Sequence, residues 1–262
     1  MPEPQFPPAT PLKPRRRAII VGASSGIGAA LARRLAREGY SVALLARREK
    51  HLKALRDEIN TASGETRARY YVHNVTDYAD IPDLLQRIQA DLGGLDLFIY
   101  NTGILRFVGL DEFNFAADRE MLEINTIGAL AWLNPVAAMF HAMKAGQIVG
   151  ISSVAGDRGR VGAPAYNTSK AALTTYLEAL RNRLTRRGVS VLTVKPGFVE
   201  TDILRASGPK RLFSVITPDQ AADGIWKAIK ARKQTVYVPG QWALLMLVIR
   251  HIPSIIFRRL SF

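Results

Sequence analysis

The chain is expected to fold as an α/β domain, a single doubly wound parallel sheet flanked by helices. Three observations lead there. Short β-branched runs alternate with segments of helical apolar period from residue 17 to residue 238, as parallel strands joined by right-handed helical crossovers require. The first run ends directly in a glycine cluster, Gly22-Ala23-Ser24-Ser25-Gly26-Ile27-Gly28, from which a helix starts. A Pro-Gly pair, Pro196-Gly197, breaks a later strand at the carboxyl end of the sheet, where open α/β sheets bind ligands.

Residues 1–16 read as a loose leader, with five prolines in the first eleven positions and a basic cluster at Arg15-Arg16-Arg17. No apolar core of secretory length precedes the first strand, so a cytoplasmic protein is expected. Residues 17–21 form that strand, and the glycine loop leads into a helix through Arg37. Glycines at 22, 26 and 28 let the backbone turn tightly and approach a pyrophosphate, whose charge sits at the positive helix N-terminus. A bare glycine cluster is more often a turn; the flanking strand and helix favour the phosphate site.

A second strand follows at 41–45. At its end an NAD enzyme usually carries an acid for the ribose 2′-hydroxyl, but here stand Ala46-Arg47-Arg48, two guanidiniums suited to a 2′-phosphate. A solvated arginine pair starting the next helix is the alternative. Helices at 49–60 and 78–91 and strands at 68–72 and 95–100 continue the alternation. After them comes Asn101-Thr102-Gly103, then a helix from about residue 118 that carries Asn125. An asparagine in an apolar helix needs a partner when buried.

Residues 147–151 form the strand that delivers Ser153, and a helix at 163–187 carries Tyr166 and Lys170, four apart and so on one face. A phenol titrates near pH ~10 and exchanges protons poorly at neutral pH. An ammonium about 4 Å away is worth roughly 4 kcal/mol at an effective dielectric near 20, or roughly 3 pKa units. Lys170 is placed to supply it, and the Ser153 hydroxyl to hold the carbonyl oxygen that Tyr166 protonates. Together they make a site for reducing carbonyls or oxidising alcohols. A strand at 189–194, a lid candidate at 203–217, a helix at 218–230 and a strand at 235–238 complete one catalytic domain, residues 17–240.

The chain of 262 residues has no cysteine, which excludes disulfides, thiolate metal sites and a cysteine nucleophile. Four scattered histidines, His51, His73, His141 and His251, offer no helical ligand pair, so no metal is expected and surface positions are assumed for them. The formal charge of +14 points to anionic partners. Nucleic acid is not favoured, since no block interleaves Arg with aromatics.

Taken together these residues resemble the short-chain dehydrogenase/reductase family over roughly residues 17–240. The Gly22/Gly26/Gly28 loop is similar to its cofactor motif, Tyr166-x-x-x-Lys170 to its catalytic motif, and Ser153 and Asn125 stand 13 and 41 positions before Tyr166. The resemblance implies a Rossmann-type fold and an oxidoreductase that prefers NADP(H), with NAD(H) as a second cofactor. It implies that Tyr166 is the general acid or base, that Lys170 lowers its pKa and holds the nicotinamide ribose, that Ser153 orients the substrate oxygen, and that Asn125 holds a relay water. It further implies that Ser24, Ser25 and Ile27 belong to the phosphate loop, that Asn74 keeps an amide oxygen for the adenine amino group, that Val75, Asn101 and Gly103 bind the cofactor, and that Pro196, Gly197, Val199 and Thr201 border the nicotinamide. Val21, Asn74 and Thr102 depart from the usual family residues.

The resemblance is silent on the substrate. The loop at 104–115 and the lid candidate at 203–217 are apolar enough (Ile104, Leu105, Phe107, Leu110, Leu204, Leu212, Phe213) for a small-molecule or acyl substrate, a ketone with a hydrophobic body. A 3-oxoacyl chain on an acidic carrier, a steroid-like ketone or a small aldehyde would all fit. Pairing through helices near 118–143 and 163–187 implies a homodimer or homotetramer. A non-catalytic NAD(P)-binding sensor or scaffold is the alternative on the same fold. The tail, residues 241–262, has an apolar run, Trp242 to Ile249, too short to span a bilayer. Two readings stay open for it: it covers its own domain, burying Trp242, Leu245 and Ile249, or it makes peripheral membrane contact with Arg250, Arg258 and Arg259 facing anionic lipid.

Overall fold

The computed structural model describes residues 16–206 and 215–260. Nearly all of the leader, and with it the basis of the cytoplasmic reading, lies outside them, as does most of the lid candidate, including Leu212 and Phe213. Seven strands, β1 Arg17–Val21, β2 Ser41–Ala46, β3 Ala68–Val72, β4 Leu97–Tyr100, β5 Gln147–Ile151, β6 Ser190–Pro196 and β7 Thr235–Val238, pair in parallel in the order β3-β2-β1-β4-β5-β6-β7. The helices are α1 Gly26–Arg37, α2 Glu49–Ser63, α3 Ile81–Leu92, α4 Phe115–Leu122, α5 Gly128–Met143, α6 Pro164–Leu184, α7 Asp202–Ala206 and α8 Pro218–Lys230, with α9 Gln241–His251 and α10 Ser254–Phe257 after the last strand.

Period-two alternation sorts the strand residues into two cores. Along β4, Leu97 and Ile99 pack toward α1, α2 and α8, while Phe98 and Tyr100 pack toward α3, α5 and α6. This is a Rossmann-like doubly wound sheet. Its direction of growth reverses between β1 and β4, and that switch point opens a crevice at the carboxyl ends of the strands.

The expected elements are present, with three differences. The helix expected from about residue 118 starts at Phe115, because Asn114 caps it: the Asn114 side chain accepts from the Ala117 N–H at 3.1 Å. Between α4 and α5 the turn Glu123–Ile127 is π-helical and carries Asn125, a distortion that is frequent at functional sites. The stretch from α4 through α5 is long and apolar enough to cross a membrane by length and composition. It is a core helix here, with Trp132, Leu133, Val136 and Phe140 fully buried against the sheet. Lastly, Pro196 does not break its strand. β6 runs through Pro196, and the Gly197 N–H still reaches Val238 O at 2.9 Å. Proline is tolerated because β5 ends opposite Val194, so the missing N–H deprives no neighbour.

Candidate active site

The crevice is a cleft of about 730 Å³. Gly22, Ser24, Ser25, Gly26, Ile27, Arg47, Arg48, Asn74, Val75, Asn101, Gly103, Ser153, Tyr166, Lys170, Pro196, Gly197, Val199 and Thr201 all line it. Among the residues singled out from the sequence, Gly28 and Asn125 lie behind it.

The glycine loop shows why each glycine is needed. Gly22 has φ +90°, and a Cβ there would come within 2.8 Å of the Thr102 N and Oγ1 atoms. At Gly28 a Cβ would lie 2.1 Å from Gly22 O, so Gly28 serves the packing of α1 on the loop. The Asn101 side chain donates to Gly22 O at 2.9 Å and fixes the turn. Arg48 donates through Nε and Nη2 to Ser24 Oγ at 3.1 and 2.9 Å and also reaches Ser25 Oγ. Asp202 lies 3.6 Å from Arg48, tying the start of α7 to the loop. Arg47, exposed on the cleft, makes no ion pair among the described residues. Asn74 donates to Thr76 Oγ1 at 2.6 Å, which leaves its amide oxygen out of that contact. These groups fit a phosphorylated dinucleotide: backbone donors at a helix N-terminus with two cationic forks beside them.

The catalytic candidates converge at the other end of the cleft. Ser153 follows β5 with its Oγ accepting from the Ala155 N–H at 3.1 Å, which leaves its own proton to donate. It stands beside the Tyr166 phenol, which it acts to lower. Tyr166 and Lys170 stand one turn apart on the buried face of α6, 9% and 3% exposed. Burial pushes the Tyr166 phenol above its ordinary range, while the Ser153 hydrogen bond and the charge of Arg160 pull it down. Lys170 acts less directly than its spacing suggests. Its Nζ donates to Ile151 O at 3.1 Å and lies 5.9 Å from the Tyr166 ring centroid, and its charge is not among the causes of the phenol's shift. Burial lowers the Lys170 ammonium to about 8.

Asn125 is fully buried and braces the site from behind. Its Oδ1 accepts from Ile104 N at 2.7 Å, and its Nδ2 donates to Ile104 O at 2.9 Å and Ser169 Oγ at 3.0 Å. This side chain pins the start of the loop after β4 to α6, so its amide braces the site. A Cβ on Gly103 would meet both Asn125 Oδ1 and Lys170 Nζ, at 3.3 and 3.1 Å, which keeps the three in one compact layer.

Among the lining residues that the sequence did not point to, two bear on the site. Arg160, in the connection between Ser153 and Tyr166, has a buried Nε with no hydrogen-bond partner. Burial lowers its guanidinium and the Tyr166 phenol attracts it. An arginine set among Gly159, Val161 and Gly162 in a catalytic connection was the available signal. His73 contradicts the expectation of a surface histidine. It is 6% exposed beneath the cleft, its ring edge-on to Trp132 at 5.3 Å, and burial lowers its pKa so that it stays neutral. Among the described residues no group of His, Asp or Glu is placed to hold a metal ion.

A family model described as short chain dehydrogenase matches residues 16–212, and the chain belongs to the short-chain dehydrogenase/reductase family. It is 35% identical over 242 residues to an uncharacterized oxidoreductase of Myxococcus xanthus, covering 92% of this chain and 94% of that protein. It is 33% identical over 189 residues to the Escherichia coli 3-oxoacyl-(acyl-carrier-protein) reductase FabG, covering 72% and 75%. A solved short-chain dehydrogenase from Sphingobium yanoikuyae, in complex with NADPH, aligns with a TM-score of 0.79 at 27% identity over 91% of this chain and 97% of that one. The protein is an NAD(P)-dependent oxidoreductase acting on CH–OH groups.

Proposed function

We propose that this enzyme is an NADPH-dependent reductase of a ketone or 3-oxoacyl group carried on a hydrophobic body. The observation that carries the reading is the buried phenol of Tyr166, held above its usual range with the Ser153 hydroxyl beside it, at the foot of a cleft walled by Ile104, Leu105, Phe107 and Leu204. A bound reduced nicotinamide supplies the hydride. Gly22, Ser24, Ser25, Gly26 and Ile27 would hold its pyrophosphate, Arg47 and Arg48 the 2′-phosphate, Asn74 and Val75 the adenine, Asn101, Gly103 and Lys170 the ribose side, and Pro196, Gly197, Val199 and Thr201 the nicotinamide. Ser153 donates to the substrate oxygen, and Tyr166 passes its proton to that oxygen as the carbonyl carbon is reduced. FabG, by its name, reduces 3-oxoacyl groups on a carrier protein. A panel of ketones and 3-oxoacyl thioesters read by NADPH absorbance tests the reading; no turnover of any hydrophobic ketone would overturn it.

The titration directions give the pH dependence. A phenol raised by burial is the neutral acid that reduction needs, whereas oxidation needs the phenolate. Lys170, lowered to about 8, loses its charge above that value. For reduction, kcat/KM is therefore expected to be flat near neutral pH and to fall above about pH 8, with oxidation rising toward alkaline pH. Arg160→Met removes the nearby cation, so the phenol rises further and the oxidation profile shifts to higher pH. An unmoved profile would show that Arg160 does not tune Tyr166.

The same family membership supports a homodimer or homotetramer paired through α4, α5 and α6. Sedimentation is expected at twice or four times 28.9 kDa. A monomer at micromolar concentration would count against it.

A further inference from the structure

The C-terminal tail has apolar residues on both faces of α9, and the domain covers one of them. Trp242 and Met246 are buried, and Leu245 and Ile249 pack with Phe198, Val154 and Tyr237. The seat is close enough that a Cβ on Gly197 would fall 1.9 Å from the Trp242 indole nitrogen. Arg158 clamps the end of the helix. Its Nη1 donates to Ile249 O at 2.7 Å and Ile252 O at 2.5 Å, and its guanidinium lies 3.9 Å from the Phe257 ring centroid. The tail is thus a fixed part of the surface. Trp242 is buried as the domain-covering reading expected, and Leu245 and Ile249 are partly buried.

The opposite face of the tail stays open. Leu244, Leu247 and Val248 are 70%, 53% and 58% exposed at i, i+3 and i+4, and Ile255 and Ile256 on α10 are 60% and 52% exposed. A helix that is apolar all round belongs inside something. Residues 241–262 hold three arginines and no acid in a chain of formal charge +14. Arg250, Arg258 and Arg259 are all exposed; Arg250 is near enough to Tyr237 for its charge to act on that phenol, and Arg258 and Arg259 flank the open stripe.

We propose that this outward stripe is a docking surface for an anionic lipid bilayer, with Leu244, Leu247, Val248, Ile255 and Ile256 entering the headgroup boundary and Arg258 and Arg259 meeting lipid phosphates. Charge favours this occupant over the same tail of a second copy, which would bring three arginines and no acid against it. A shallow depression lined by Val161, Phe257, Arg258 and Leu260 adjoins the tail, and Arg160 lines both it and the catalytic cleft. The docked face therefore borders the cleft.

The test is flotation of the full-length protein with vesicles of equal phosphatidylglycerol and phosphatidylcholine, against pure phosphatidylcholine. Binding is expected to the anionic vesicles at low salt and to weaken in about 1 M salt, where the screening length falls to about 3 Å. Leu244→Ser/Leu247→Ser/Val248→Ser is expected to weaken it at least tenfold. Arg258→Gln/Arg259→Gln is expected to weaken it roughly 25-fold, at about fivefold per charge. Both variants change exposed side chains, and unchanged NADPH binding by fluorescence confirms their fold. Three results overturn the proposal: parent protein that ignores anionic vesicles, a serine variant that floats as the parent does, or a serine variant that instead turns an oligomer into a monomer, which would make a second copy the occupant.

Discussion

Tyr166→Phe is expected to lower turnover by about a hundredfold or more, the usual cost of losing a general acid. The ring keeps its place, because Tyr166 packs among Met121, Ala155, Ala163 and Ala165 through its carbon atoms. Only the hydroxyl is removed, and with it the group beside Ser153. Melting temperature and NADPH affinity should therefore change little while kcat falls. Ser153→Ala, which leaves the phenol but removes the donor beside it, should lower kcat by a smaller factor. Near-normal turnover in the phenylalanine variant, on a ketone that the parent reduces, would dismiss the proposed mechanism.

Cofactor choice is the second large effect. With charge-assisted hydrogen bonds worth roughly 1.5 to 3 kcal/mol, NADPH should bind about 10- to 150-fold more tightly than NADH. The two arginines should then separate. Arg47 makes no ion pair among the described residues, so Arg47→Asp should reverse the preference. Arg48 also holds Ser24 and Ser25, so Arg48→Ala should weaken both cofactors by loosening the phosphate loop. Dissociation constants that are equal for NADPH and NADH in the unmutated protein would remove the role assigned to the pair.

Much of this was legible before any coordinates, for a physical reason. Strand and helix order is written in local periods, and β3, β5, β7 and α8 fall where the periods place them. The glycine loop declares itself because turn geometry tolerates few residues, and Tyr166 with Lys170 because a four-residue spacing in a helix is a distance. The boundary errors arose where a side chain overrode the period, as with the Asn114 cap, or where proline sat beyond its neighbour strand, as with Pro196.

By itself the sequence determined the sheet and the family and pointed to the proposed cofactor loop and catalytic set, because each rests on residues close along the chain or in a fixed order. Only the tertiary structure decided what surrounds them. Asn125 meets Ser169 across 44 residues, and Arg158 meets Ile249 across 91. No local period encodes which polar groups meet at such separations. Burial is likewise a property of the assembled layers, so the upward shift of Tyr166, the lowered Lys170, the buried His73 and the part of Arg160 became visible only there. The tail shows the division most clearly. Its composition marks it as apolar and basic, but the packing of Trp242 on Gly197 decides which face the domain takes and which face remains for another partner.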